Sequence, residues 1–356
     1  MQKKVEEILS REINADTQKP FVFENIAEKN GIISAVLTFN YPAKTRFAAI
    51  REQLESAVKK EFPNAILELE IQTKIITHKV QMQLKPVGGI KNIIAVASGK
   101  GGVGKSTTAA NIALALVKEG AKVGLLDADL YGPSQPTMLG LPQTPPPVLE
   151  NEKMAPPENY GLKVMSIGFL IQSDDTPMIW RGPMVSSTLT QIFEQTEWGE
   201  LDFLIVDLPP GTGDAQLTLA QKIPTTGAVI VTTPQDIALI DAQKGLKMFE
   251  KVNVPILGVV ENMSYFVCPN CQERHAIFGA GGAQKMNELY GVEILGQLPL
   301  SIDIREMADS GKPSVVAAPD SAEAQIYQQI ARRVALKTAE LGKDFSAKFP
   351  QIIVEN

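Results

Sequence analysis

Apolar and polar positions change their period several times along this chain, and each change predicts an element. Unbroken apolar runs mark buried strands: Ile93-Ile94-Ala95-Val96-Ala97, Phe203-Leu204-Ile205-Val206, Ala228-Val229-Ile230-Val231 and Ile256-Leu257-Gly258-Val259-Val260. A further run, Lys122-Val123-Gly124-Leu125-Leu126, ends in Asp127-Ala128-Asp129. Between the first of these and Lys122, residues Ala109, Ile112, Ala113, Leu116 and Val117 recur at helical spacing. Ahead of them, residues 2–13 carry a helical pattern, Gly31 to Phe39 reads as a strand, and Phe47 to Glu61 as a helix with Ile50, Leu54, Ala57 and Val58 on one side. The alternation from Ile66 to Leu84 predicts further strand. A shift of composition at Pro86-Val87-Gly88-Gly89 marks a linker. The expected organisation is a small α/β domain (1–86), a linker (87–91), an α/β domain (92–340) and a tail (341–356).

Composition narrows the function classes. The chain has 356 residues, 44% of them hydrophobic, which is core enough for two domains. Charged residues make up 21% with a net charge of −6 and no basic run, so nucleic acid is not expected as the main partner. The start, Met1-Gln2-Lys3-Lys4-Val5-Glu6-Glu7, lacks an apolar signal core, and no stretch is long enough to span a membrane. The end, Ile326 to Glu340 and then Phe345 onward, lacks a basic stripe beside a continuous apolar face. No membrane partner is expected, and the cytoplasm is the expected location.

Chemistry concentrates in a few loops. Gly99-Lys100-Gly101-Gly102-Val103-Gly104-Lys105-Ser106, followed by Thr107, is a complete phosphate-binding loop between a strand and a helix. Its glycines let backbone N–H groups face phosphate oxygens at the positive end of the helix. Lys105 is placed for the β- and γ-phosphates and the Ser106 hydroxyl for Mg²⁺. Two ammonium groups at one oxygen would repel each other, so Lys100 is expected to reach outward. The apolar run into Asp207 is a Walker B pattern, whose carboxylate holds Mg²⁺ through water. Next come Leu208-Pro209-Pro210-Gly211-Thr212-Gly213-Asp214, where stiff prolines and an accessible Gly211 N–H suit a γ-phosphate switch. No Asn-Lys-x-Asp guanine element occurs, which favours ATP over GTP. The fold class expected is α/β, a P-loop NTPase with a mostly parallel sheet and helices on both faces, preceded by a small α/β domain.

Only two cysteines occur, Cys268 and Cys271, in Cys268-Pro269-Asn270-Cys271 with Arg274 and His275 beyond. Zinc and iron–sulfur cubanes both take four ligands, and one chain supplies two thiols. A twofold dimer brings four together on its axis. Three readings stand: a cluster bridging two subunits, zinc with His275 as a third ligand, or redox or inert thiols, although a redox pair normally opens a helix. His275 is otherwise a hydrogen bonder in a loop.

The wording around Lys100 resembles the deviant Walker A loop of the MinD/ParA/nitrogenase-iron-protein class of dimeric ATPases. That resemblance implies a homodimer in which Lys100 crosses to the partner's nucleotide. It also implies Asp129 as the acid that orients or activates the attacking water, Asp127 as support on the Mg²⁺ side, and Asn262 as reader of the adenine edge. Further stretches are Gly89-Ile90-Lys91-Asn92, Asp127 to Ser134, Trp180-Arg181-Gly182-Pro183-Met184, Asp207 to Asp214 and the cysteine pair. Together with the loop they are similar to the Mrp/ApbC iron–sulfur cluster carriers from Gly89 to about residue 318. Arg181 is assigned either to nucleotide or partner contact or to packing the proline-rich insertion from Tyr131 to Tyr160. The front domain resembles the metal-sulfur cluster assembly factor domain. It departs from that pattern in lacking the Asp-Pro-Glu element and the cysteine, with Tyr41-Pro42-Ala43-Lys44 where the thiol is expected, so partner docking is its expected role. The resemblance implies a slow ATPase using ATP and Mg²⁺, a labile 4Fe–4S cluster between subunits, and apo-protein clients and cluster scaffolds as partners. The alternatives are a MinD-type positioning ATPase and an ATP-coupled reductase in the manner of nitrogenase iron protein.

Overall fold

The computed structural model describes residues 4–9, 11, 21–81, 84–130, 132–170 and 182–343. Within them the chain builds two sheets. The first unit holds a helical segment at 4–9 (α1), β1 (Phe21–Lys29), β2 (Ile32–Phe39), α2 (Phe47–Glu61) and β3 (Ile66–Thr73). β2 is central, antiparallel to β1 and parallel to β3. Its alternate residues Ile33, Ala35 and Leu37 are buried, as are Ile50, Leu54, Ala57 and Val58 of α2, which is the face the helical spacing predicts.

The strand expected from Ile66 to Leu84 ends at Thr73. Beyond it the alternation serves another purpose, because the chain leaves the sheet and runs along the second unit, where side-chain amides replace the ladder. His78 Nδ1 lies 2.8 Å from Asn92 Oδ1, and Asn92 Nδ2 donates to the Ile76 carbonyl at 3.0 Å. Gln81 donates to the carbonyls of Ala220 and Ile223 at 2.7 and 2.9 Å and accepts from the Thr225 N–H at 2.7 Å. A second seam lies at Glu119, whose carboxylate accepts from the Thr45 N–H at 3.0 Å, from the Thr45 hydroxyl at 2.7 Å, and pairs with Arg332 at 3.3 Å.

The second unit follows as β4 (Ile90–Ala97), α3 (Lys105–Lys118), β5 (Val123–Asp127), α4 (Gln135–Met138), β6 (Glu158–Asn159), β7 (Leu162–Ser166), α5 (Gly182–Gln195), β8 (Leu201–Asp207), α6 (Asp214–Lys222) and β9 (Gly227–Thr232). It continues with α7 (Asp236–Lys251), β10 (Ile256–Val267), β11 (Arg274–His275), α8 (Gly282–Tyr290), β12 (Ile294–Pro299), α9 (Ile302–Asp309), α10 (Ser314–Ala317) and α11 (Ala322–Glu340). The sheet order is β11-β10-β9-β4-β8-β5-β7-β6, with β12 also on β10. All pairings are parallel except β10 with β11 and β6 with β7. Every apolar run singled out in the sequence is a buried strand here, since parallel strands covered by crossover helices need apolar side chains on both faces. Helices α3, α10 and α11 pack together, and α5 to α8 form a second connected set. Strand β10 is the longest at 12 residues, and its end overshoots the parallel sheet to pair with β11. Tyr131, Trp180, Arg181 and nearly all of the tail lie outside the described residues.

Candidate functional site

The carboxyl ends of β4, β5 and β8 converge on one cleft of about 550 Å³, the edge at which open parallel sheets bind ligands. Its floor is the loop from Gly99 to Thr107. Gly104 caps α3 with a φ of 81°, and Gly102 has a φ of 78°, conformations that glycine adopts without steric cost. A side chain at Gly99 would place its Cβ 2.2 Å from the Asp241 backbone, so this glycine lets α7 approach the loop. Lys100 and Gly101 line the cleft, and Lys100 is exposed.

Lys105 is buried, and its ammonium bonds Asp207 Oδ1, lies 3.2 Å from Ser106 Oγ and sits 3.9 Å from Asp129 Oδ2. Asp127 and Asp129 diverge because β5 ends at Asp127, and Asp129 lies beyond it, where the strand's two-residue repeat no longer holds both acids on one face. Asp129 faces Lys105 and lines the cleft. Asp127 lies across the β5–β8 register from Asp207 and turns inward, where its Oδ1 accepts from the Asp129 N–H at 3.2 Å. Its Oδ2 accepts from the Gln135 N–H at 3.1 Å and the Ser166 hydroxyl at 3.0 Å. Burial, together with the charge of Asp207, pushes the Asp127 carboxyl up to about 7.

Gln135 is a site residue that sequence reasoning missed. Fully buried, it donates from Nε2 to the Ser106 carbonyl at 3.0 Å and to Asp207 Oδ2 at 2.9 Å. It thereby ties the phosphate loop to the Walker B acid. The one local signal is Pro136, in the first turn of the short helix α4 that Gln135 itself begins.

Magnesium is implied by the fold, and the donor set fits it. The Lys105 ammonium already stands as a cation between Asp207 and Ser106, and beside them Gln135 Oε1 is buried with no hydrogen-bond partner. Ser106 and Asp207 would hold the ion, and the three donors on Asp127 would leave it to brace them from behind.

Two expected roles meet geometry that spacing does not reveal. The Gly211 N–H, expected to be free for a γ-phosphate, donates to the Ser98 carbonyl at 3.0 Å, while the residue itself has a φ of 99° and open space around it. Asn262, expected to offer an adenine both a donor and an acceptor, donates its Nδ2 to the Val103 carbonyl at 2.9 Å and packs on Gly104. That bond takes one of the two Nδ2 hydrogens.

Six residues further along the same strand, β10 reaches Cys268. At about 3.3 Å per residue a straight strand would set the separation at roughly 20 Å, an upper bound. Between them Met263 has a φ of 57° and the β12 pairing changes register, so the strand is bent there. Cys268 is half-buried and Cys271 exposed, both on the turn between β10 and β11. The turn is closed by Cys268 N–H donating to the Glu273 carbonyl at 3.0 Å and Gln272 N–H to the Cys268 carbonyl at 2.8 Å. Backbone N–H groups of Cys271 and Asn270, with the Cys271 side chain, hold the Cys268 thiol below its usual range, favouring thiolate. The pair thus stands on a hairpin rather than at a helix start, and His275 is a strand residue paired with Phe266. Among the described residues no helix is long and apolar enough to cross a membrane.

The chain is similar to several known proteins. An iron-sulfur cluster carrier protein of Pseudomonas fragi is 57% identical over 265 residues, covering 74% of this chain and 92% of the relative. The iron-sulfur cluster carrier protein of Escherichia coli K12 is 50% identical over 311 residues, covering 87% and 84%. The iron-sulfur cluster transfer protein NUBPL of Dictyostelium discoideum is 50% identical over 305 residues, covering 85% and 94%. A nucleotide-binding protein of Archaeoglobus fulgidus, solved in complex with ADP and with cobalt found, superposes with a TM-score of 0.56 at 42% identity over 63% of this chain and 88% of that one. The cell division ATPase MinD of Pyrococcus furiosus, 23% identical over 68% of this chain and 98% of its own with a TM-score of 0.53, shares the fold. Residues 89–335 match the family described as ParA, NUBPL iron-transfer P-loop NTPase, and with both halves of its site present this chain belongs to that family.

Proposed function

We propose that the chain is an ATP-hydrolysing iron–sulfur cluster carrier of the cytoplasm. It works as a homodimer that holds a labile 4Fe–4S cluster on Cys268 and Cys271 of both subunits, receives it from scaffold proteins and passes it to apo-protein clients. The observation that carries this is β10, one strand that braces the phosphate loop through Asn262 and leads into the turn that carries the two thiols. The names of the relatives, all cluster carriers or transfer proteins, support the same reading.

ATP enters the cleft over Gly99 to Thr107, and its phosphates draw the Lys105 ammonium away from Asp207. Magnesium, when bound, neutralises charge developing on the phosphates. Asp129, released from Lys105, orients the attacking water. For the switch to sense the γ-phosphate, the Gly211 N–H must leave the Ser98 carbonyl, and that exchange moves the segment after β8. Lys100 reaches across the twofold axis. Asn262 reads the adenine edge while one Nδ2 hydrogen stays on the loop, so movement of the loop pulls directly on β10. The front unit, pinned at Glu119, His78 and Gln81, presents its open sheet edges to partner proteins.

Anaerobic reconstitution of the full chain with iron and sulfide counting and Mössbauer spectroscopy tests this. The expected outcome is a four-iron cluster per dimer, lost when Cys268→Ser and Cys271→Ser are combined. Lys105→Ala should hold the cluster and fail in ATP-dependent delivery to an apo-acceptor. Full iron and sulfide in the double serine variant, or unimpaired delivery by K105A, overturns the proposal.

A further inference from the structure

The hairpin that carries the cysteines presents more donors than thiols. Arg274–His275 pairs with Phe266–Val267, and strand pleating sends successive side chains to opposite faces. Arg274 takes one face, its guanidinium 4.6 Å from the centroid of the Tyr265 ring. Glu273 and His275 take the other, where their donor atoms and Cys271 Sγ lie within 4.8 Å of one another, all three exposed. Cys268 stands three residues before Cys271 on the same closed turn, its carbonyl accepting from the Gln272 N–H, so the turn carries a second sulfur beside that group. Two sulfurs, an imidazole and a carboxylate are thus gathered on one chain, and the cation that would oppose a metal is stacked away on the far face.

We propose that a single chain binds one divalent transition-metal ion of borderline softness, such as zinc, cobalt or ferrous iron, through Cys268, Cys271, Glu273 and His275. Thiolate, imidazole and carboxylate are the donors such ions accept in tetrahedral sites, at metal–ligand distances of about 2.0–2.3 Å. Those distances put neighbouring donors roughly 3.3–3.8 Å apart, so Cys271, Glu273 and His275 need to close by about 1–1.5 Å at most, and Cys268 turns in from the same loop to complete the four. The shortage of ligands that a pair of cysteines leaves in one subunit is then met within that subunit. The inference rests on the cargo-carrying role of the same thiols and names a holding state for a lone subunit, distinct from the cluster shared by two.

The test titrates Co²⁺ into the full-length reduced chain under nitrogen, reading thiolate-to-cobalt charge transfer and the visible bands of tetrahedral cobalt. Sedimentation of the same samples reports the association state. One ion per chain on a monomer is expected, with affinity falling at least ~10-fold in Glu273→Gln and in His275→Ala, since even outer-shell partners of a metal are worth that much. Half an ion per chain, or affinity and spectra unchanged in both variants, overturns the inference. Cluster reconstitution on the E273Q/H275A chain separates the two proposals: the shared cluster needs only the thiols and should form normally, whereas failure of the unaltered chain to hold iron and sulfide counts against the carrier role alone.

Discussion

Replacing Gln135 by glutamate tests whether this amide locks the phosphate loop to the Walker B acid. The substitution keeps shape and turns a donor into an acceptor 2.9 Å from Asp207 Oδ2 and 3.0 Å from the Ser106 carbonyl. An ionised Glu at that distance would repel Asp207 by about 6 kcal/mol at an effective dielectric of about 20. Taking up a proton at about pH 7 costs less, about 4 kcal/mol, because the reference value is about 4.3. The variant therefore folds with a neutral acid that donates to Asp207 and leaves the Ser106 carbonyl unpaired, a further loss of about 1 kcal/mol. Since the acid is protonated when folded and ionised when unfolded, the deficit grows with pH, from about 2 kcal/mol near pH 5 to about 5 kcal/mol near pH 7. Denaturant melts of both chains across this range read it directly. As a control, Gln135→Ala loses both bonds with no titratable group and should show a deficit of about 2–4 kcal/mol that is flat with pH. A deficit in Q135E that stays constant with pH would refute the placement of this side chain between the two oxygens.

The seam at Glu119 gives a second prediction. Glu119→Ala removes two hydrogen bonds from Thr45 to a charged group and the partner of Arg332, so stability should fall by about 2–4 kcal/mol and protease should cut between residues 74 and 91 sooner; unchanged proteolysis would show that the two sheets are held by other contacts. A third concerns Asp127, whose folded-state value near 7 lies above that of the unfolded chain. As pH rises from about 4 to about 7 the unfolded chain releases this proton while the folded chain keeps it, so stability falls through that window and levels off above it. Asp127→Asn should flatten the slope measured by denaturant melts, and parallel slopes for the two chains would mean that Asp127 ionises freely in the fold.

Local pattern determined a good deal of this protein. Unbroken apolar runs such as Ile93 to Ala97 predicted buried parallel strands because both faces must be covered, and the spacing of Ile50, Leu54, Ala57 and Val58 predicted the face of α2 that is buried. The glycine loop and the Walker B run located the cleft, since loop chemistry depends on residues adjacent in sequence. Tertiary structure alone decided what depends on approach between distant segments. The strand expected to Leu84 stops at Thr73, and beyond it the chain bonds Asn92 of β4 and Ala220 of α6, partners from the second unit that take the place of its own ladder. Gln135 gained its place from the meeting of α3 with β8, and Gly211 and Asn262 spend donors on carbonyls that spacing does not bring near. Glu273 joins Cys271 and His275 only because a hairpin folds them onto one face. Periodicity encodes which side of an element meets apolar neighbours, a one-dimensional property. Which polar atom meets which is fixed by packing in three dimensions, and there it was decided.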